Sequence, residues 1–128
     1  MFPSRRTAVL VTTAVLTVPA AVLTAAPAQA DVERHGRCGS AVYEFSVDRE
    51  RGGFEVELEI DRAKPKSQWK VLMYHDGKRF VNQTFRADRE GELDVERWRG
   101  NTAGYDKFTF RATRSDGAAT CTNSITVR

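Results

Sequence analysis

The sequence predicts an all-β domain, a single antiparallel two-sheet sandwich of about seven strands. Three observations predict it. Between residues 38 and 128 apolar side chains recur at every second position, with no sustained 3.6-residue period. Clusters of Gly, Asp, Asn and Pro interrupt these runs at the short, regular intervals of a sandwich. Two cysteines, Cys38 and Cys121, stand near the two ends of the region, 83 positions apart.

The elements follow in order. Tyr43, Phe45 and Val47 alternate with Glu44, Ser46 and Asp48, and the charged turn DRERGG at 48–53 closes that run. Phe54, Val56, Leu58 and Ile60 then alternate with Glu55, Glu57 and Glu59. The stretch around Pro65 breaks the pattern and leads to 69–75, where Trp69, Val71 and Met73 alternate with Leu72 and Tyr74. Asp76-Gly77 is a hairpin signal joining this strand to 78–86. Leu93 and Val95 alternate with Asp94 and Glu96, and after the loop RGNTAG Phe108, Phe110 and Ala112 alternate with Lys107, Thr109 and Arg111. In the last strand Cys121, Ile125 and Val127 share a face opposite a row of Thr and Ser.

Residues 1–30 have a separate composition: Arg5 and Arg6, an apolar run from Thr7 to Ala25, then Ala28-Gln29-Ala30. A basic start, an apolar middle and a small-x-small end predict a secretory signal peptide cleaved after Ala30. Pro19 and the threonines of the run argue against a retained membrane anchor. Residues 31–37 are read as a polar leader, and 38–128 as one β domain. The mature chain is thus expected to be secreted, with no membrane insertion after cleavage. Export also predicts that Cys38 and Cys121 form a disulfide.

Removing the signal changes the charge argument. The whole chain holds 20 Lys plus Arg against 17 Asp plus Glu. Arg5 and Arg6 leave without any acid, so residues 31–128 hold 18 against 17, a net charge of +1. That balance gives no reason to expect nucleic acid as a partner.

The Trp69 strand, the FTFRAT strand at 108–113 and a Gly turn into the last strand resemble those of immunoglobulin-like and fibronectin-type-III-like modules. The resemblance covers about residues 38–128 and implies an immunoglobulin-like sandwich. It departs from true immunoglobulin domains because the two cysteines tie the chain ends rather than the second and sixth strands. The chain also resembles small exported proteins of high-GC Gram-positive bacteria, with an Ala-rich signal and 13 Arg to 5 Lys in residues 31–128. That resemblance implies no activity.

No catalytic or metal motif is legible, and no cofactor is expected. His35 and His75 stand in no metal-ligand spacing and are read as solvated terminus and turn residues. There is no nucleophile elbow and no Gly-rich phosphate loop. Carboxylates abound on outward strand positions. With 41–47, 54–60 and 92–97 in one sheet, its outer face carries Glu44, Asp48, Glu55, Glu57, Glu59, Glu92, Asp94 and Glu96. The other sheet shows Lys70, Lys107, Arg111, Arg128 and threonines. Like charges opposite one another are unfavourable, so Arg49 and Arg97 are expected to reach over the acids, with a hard cation such as calcium, or a different strand order, as the alternatives.

Trp69 is the expected core anchor, which turns Leu72 and Tyr74 outward and makes them the candidate contact surface. The register of the return strand stays open. A two-residue loop puts Phe80 on the Trp69 side, whereas a three-residue loop puts Val81 and Phe85 there. Two function classes follow. One is a secreted, non-catalytic binding module whose partner is an extracellular protein or a cell-surface component, with an inhibitor or carrier as its narrower form. The other is a carboxylate-based extracellular hydrolase, which needs two acids converging in a cleft.

Overall fold

The computed structural model describes residues 31–128 together with Ala14, Val15 and Thr17. The expected cleavage after Ala30 and the rest of the signal segment lie outside the described residues. Eight strands follow one another: β1 (Val32–Cys38), β2 (Ala41–Glu50), β3 (Gly53–Asp61), β4 (Gln68–His75), β5 (Lys78–Arg86), β6 (Leu93–Gly100), β7 (Asp106–Arg114) and β8 (Thr120–Val127). All pairings are antiparallel, in two four-stranded sheets of order β1-β2-β3-β6 and β5-β4-β7-β8. The fold class expected from the alternation is the fold observed, with eight strands in place of about seven. Among the described residues no helix is long and apolar enough to cross a membrane.

The additional strand is the segment read as a polar leader. Residues 32–38 pair along their whole length with 41–47, from Val32 opposite Val47 to Cys38 opposite Ala41. As the edge strand of its sheet, β1 leaves most of its side chains in solvent, so its sequence lacks the apolar alternation that marks an internal strand. Backbone pairing with β2 needs no such pattern. Gly36 lies under the Tyr43 ring, where an added Cβ would meet ring atoms at 2.5–2.6 Å.

The core lies between the sheets. Phe45, Phe54, Val56, Leu58, Ile60 and Val95 from one sheet meet Trp69, Val71, Met73, Phe108, Phe110 and Ile125 from the other, all essentially inaccessible to water. Phe110 packs edge-on against Tyr43 at 4.9 Å and tilted against Phe45 at 4.8 Å between ring centroids. Such aromatic pairs add about 0.5–1.5 kcal/mol each beyond the area they bury. Asn123, the one polar residue on the inner face of β8, donates its Nδ2 to the Tyr43 hydroxyl at 2.9 Å and is satisfied there. The Cys38–Cys121 disulfide is formed, with Cα atoms 5.0 Å apart, and it joins β1 of one sheet to β8 of the other.

The β4–β5 hairpin combines features of both expected registers. His75 pairs with Lys78, so the loop has two residues, and Asp76 (φ 50°) and Gly77 (φ 82°) supply the two positive φ angles of a type I′ turn. The register then shifts between Met73 and Tyr74: Tyr74 faces Arg79, Met73 faces Val81, and Phe80 is the extra residue of a β-bulge. The short turn is therefore followed by the pairing expected of the longer one, with Val81 and Phe85 on the Trp69 side.

Candidate functional site

The outer face of the sheet β5-β4-β7-β8 is built by the alternation of its strands. On β4 the register sends Trp69, Val71 and Met73 inward and leaves Lys70, Leu72 and Tyr74 outward. Leu72 lies between Asn82 and Arg111, and Tyr74 between Arg79 and Thr109, on the two neighbouring strands. Both are half-buried, because a residue on a central strand is flanked by long side chains on each side. Lys70, Arg79, Arg86, Lys107 and Arg111 are exposed on this face, and no strand position on it holds a carboxylate. A cavity of about 230 Å³ lies elsewhere, near Val32 and Arg128, whereas a depression of about 430 Å³ sits on this face among Lys70, Leu72, Thr84, Arg111 and Thr113.

The other sheet has the opposite character. Glu44 faces Glu59, Asp48 faces Glu55, Glu57 faces Glu96, and Glu59 faces Asp94. The expectation that Arg49 and Arg97 relieve this ladder is corrected. Arg49 sits 5.2 Å from the centre of the Phe54 ring, and Arg97 donates to the carbonyl of its neighbour Glu96. Strand alternation is the reason: Arg49 shares the parity of Val47, and Arg97 that of Val95, so both start from the inward side. Among the described residues no Lys, Arg or His nitrogen lies within 4.0 Å of a carboxylate of Glu44, Asp48, Glu55, Glu57, Glu59, Asp94 or Glu96.

The crowded acids respond by holding protons. Hydrogen bonding to Glu50 and then to Glu96 pushes Glu55 up to about 8. Burial and then the Asp94 charge push Glu57 up to about 7, and burial followed by Asp31 pushes Asp48 up to about 6. Glu59 is raised as well, first by burial and then by Asp61. Trp98, 52% exposed, lies at the end of this ladder opposite Glu55 and donates its Nε1 to the Glu50 carbonyl at 3.1 Å. Its indole covers Gly53, where a Cβ would come within 2.7 Å of the ring. Alternation past Asp94 and Glu96 places Trp98 on the outer face, a signal present in the sequence and missed there.

A third cluster corrects the reading of His75. It is no solvated turn residue: it is 4% exposed, stacks on Phe108 at 4.3 Å, and its Nε2 lies 2.6 Å from Oδ1 of the fully buried Asp106. His75 shares the parity of Trp69, Val71 and Met73, and that parity outweighs its place beside the turn. Asp106 Oδ1 also accepts from the Thr102 amide at 3.1 Å and the Thr102 hydroxyl at 2.7 Å. Burial alone pushes the Asp106 carboxyl up, but the Thr102 and His75 hydrogen bonds outweigh it and hold the group below the usual carboxylate value. Asp76 joins the cluster by accepting from the Lys107 amide at 2.8 Å, and its Oδ2, 3.0 Å from the Thr102 hydroxyl, shares that single hydrogen with Asp106.

His75, Asp76 and Asp106 are close enough together to hold a metal ion. The proton inventory points instead to a clamp. Arg99 Nε donates to His75 Nδ1 at 3.4 Å, which leaves the hydrogen on Nε2, directed at Asp106. A metal on Nε2 would move that hydrogen to Nδ1, where it would meet the Arg99 N–H donor head-on. The same arrangement uses both imidazole nitrogens and leaves neither for a substrate. The cluster ties the β4–β5 turn to the 101–106 loop.

No protein-family model matches the chain, and no curated protein matches it.

Proposed function

We propose that the protein is a secreted, non-catalytic interaction module whose contact surface is the outer face of β5-β4-β7-β8. The observation that carries this reading is the composition of that face: five exposed cations, no strand carboxylate, and the half-buried Leu72 and Tyr74 at its centre. Arginine and tyrosine, both present here, are enriched at interfaces relative to the rest of the surface. Export is supported by the signal-like residues 1–30 and by the disulfide, which an oxidising compartment keeps closed. The strand order β2-β3-β6 against β5-β4-β7-β8 supports the immunoglobulin-like reading of the scaffold.

The hydrolase reading has less behind it. The acids of β2, β3 and β6 stand side by side on one sheet face, while glycoside hydrolysis needs two carboxyls on opposite sides of a scissile bond. The test is retention of the purified protein on washed envelopes of the producing cell, measured as a saturable binding curve. Wild-type protein is expected to bind. A Leu72→Ser/Tyr74→Ser variant with a native-like thermal transition is expected to lose at least about tenfold in affinity, the effect of removing anchors at an interface centre. Equal retention of both proteins would overturn the assignment of this face.

A further inference from the structure

Resting on that reading, we propose that one partner of the cationic sheet face is the acidic sheet face of a second copy of this chain. The two outer faces lie on opposite sides of one molecule and complement each other in sign. One carries Lys70, Arg86 and Arg111 with no strand acid among them. The other carries Glu55, Glu57 and Glu59 along its third strand, with Asp48 facing Glu55, Glu96 facing Glu57, and Glu44 and Asp94 facing Glu59, and no cation within 4.0 Å of these three carboxylates among the described residues. The same crowding raises Glu55 to about 8 and Glu57 to about 7, and a cationic face laid over them favours their ionised forms. It supplies the counter-charge that Arg49 and Arg97 do not.

The dimensions match, since both faces are four strands wide and eight to ten residues long over their internal strands. At about 4.8 Å between strands and about 3.3 Å per residue, each face measures about 19 by 27 Å, or about 500 Å². Stacking two copies then buries about 1,000 Å² in total, the lower end of specific interfaces, so the association is weak and reversible. Because the two patches are different surfaces on opposite sides, the contact is heterologous. It repeats from copy to copy as an open stack rather than closing into a dimer.

Sedimentation velocity on the purified protein tests this from about 10 μM to about 1 mM, a range that brackets weak association. The weight-average sedimentation coefficient is expected to rise with concentration at about 20 mM salt and to stay at the monomer value at about 500 mM, where the screening length falls to a few ångströms. Two variants each remove one face: Glu55→Lys/Glu57→Lys/Glu59→Lys and Lys70→Glu/Arg86→Glu/Arg111→Glu. Both are expected to stay monomeric alone. A loop variant, Arg62→Glu/Lys64→Glu/Arg89→Glu, makes the same change in net charge as the second and is expected to associate like wild type. A wild-type monomer throughout, or a loop variant that behaves like the face variants, would overturn the proposal. Loss of envelope retention by Leu72→Ser/Tyr74→Ser alongside a wild-type monomer would overturn stacking alone. Stacking with unchanged envelope retention would overturn the envelope assignment alone.

Discussion

Reversing the charge at Glu57 is expected to stabilise the protein. Glu57 is half-buried on β3, with Ser46 opposite on β2 and Glu96 opposite on β6. Glu44, Asp48 and Asp94 occupy diagonal positions. Glu57→Lys turns the direct Glu96 pair from repulsive to attractive and does the same, more weakly, for the diagonals. On the cross-strand scale the gain is about 1 kcal/mol. For a domain of this size that raises Tm by about 4–8 °C. Glu57→Gln, which removes the repulsion without adding attraction, is expected to give about half as much.

The pH dependence follows from the protons these acids hold. Glu55, Glu57 and Asp48 have folded values of about 8, 7 and 6, against ordinary values of 4.5, 4.5 and 3.8. A raised folded value means that the folded protein binds more protons than the unfolded chain across that interval. The stabilisation is complete below the ordinary values and is lost as pH rises through the folded ones. Wild-type Tm is therefore expected to fall between pH of about 5 and about 8.5, and Glu57→Lys is expected to flatten that fall and gain most at the alkaline end. Calorimetric melts of wild type and variant across this range measure both effects. A wild-type Tm that is flat or rises with pH, or a Glu57→Lys variant no more stable than wild type near pH of about 8, would refute the crowding argument.

Two further predictions concern stability elsewhere in the fold. Asp106→Ala leaves the His75 Nε2–H and the Thr102 amide without their acceptor, while the Thr102 hydroxyl keeps Asp76, and is expected to cost about 3 kcal/mol in urea unfolding. A loss below about 1 kcal/mol would mean that water replaces the carboxylate and the clamp contributes little. A Cys38→Ala/Cys121→Ala variant releases a constraint spanning 83 positions and is expected to lose about 4–5 kcal/mol on the chain-entropy model, seen as a lower urea midpoint. An unchanged midpoint would show that the β1–β8 contact holds the ends together without the bridge.

Sequence alone determined which residues face the core along the internal strands, because side-chain period and burial are coupled wherever one face of a strand is covered. Trp69, Phe54, Phe108 and the acid row of β3 are legible in that way, and so are the opposite charges of the two outer faces. Edge strand β1 was not legible, since its place depends on backbone pairing with β2 and its side chains remain in water. Tertiary structure also decided the hairpin: the Asp76-Gly77 signal set the turn, while a bulge at Phe80, placed so that Val81 and Phe85 reach the core, set the register. His75 and Asp106 lie 31 positions apart, and only the pairing of β4 with β7 brings them together. Local patterns report how each strand meets its own two sides; contacts across strands depend on the whole chain's arrangement.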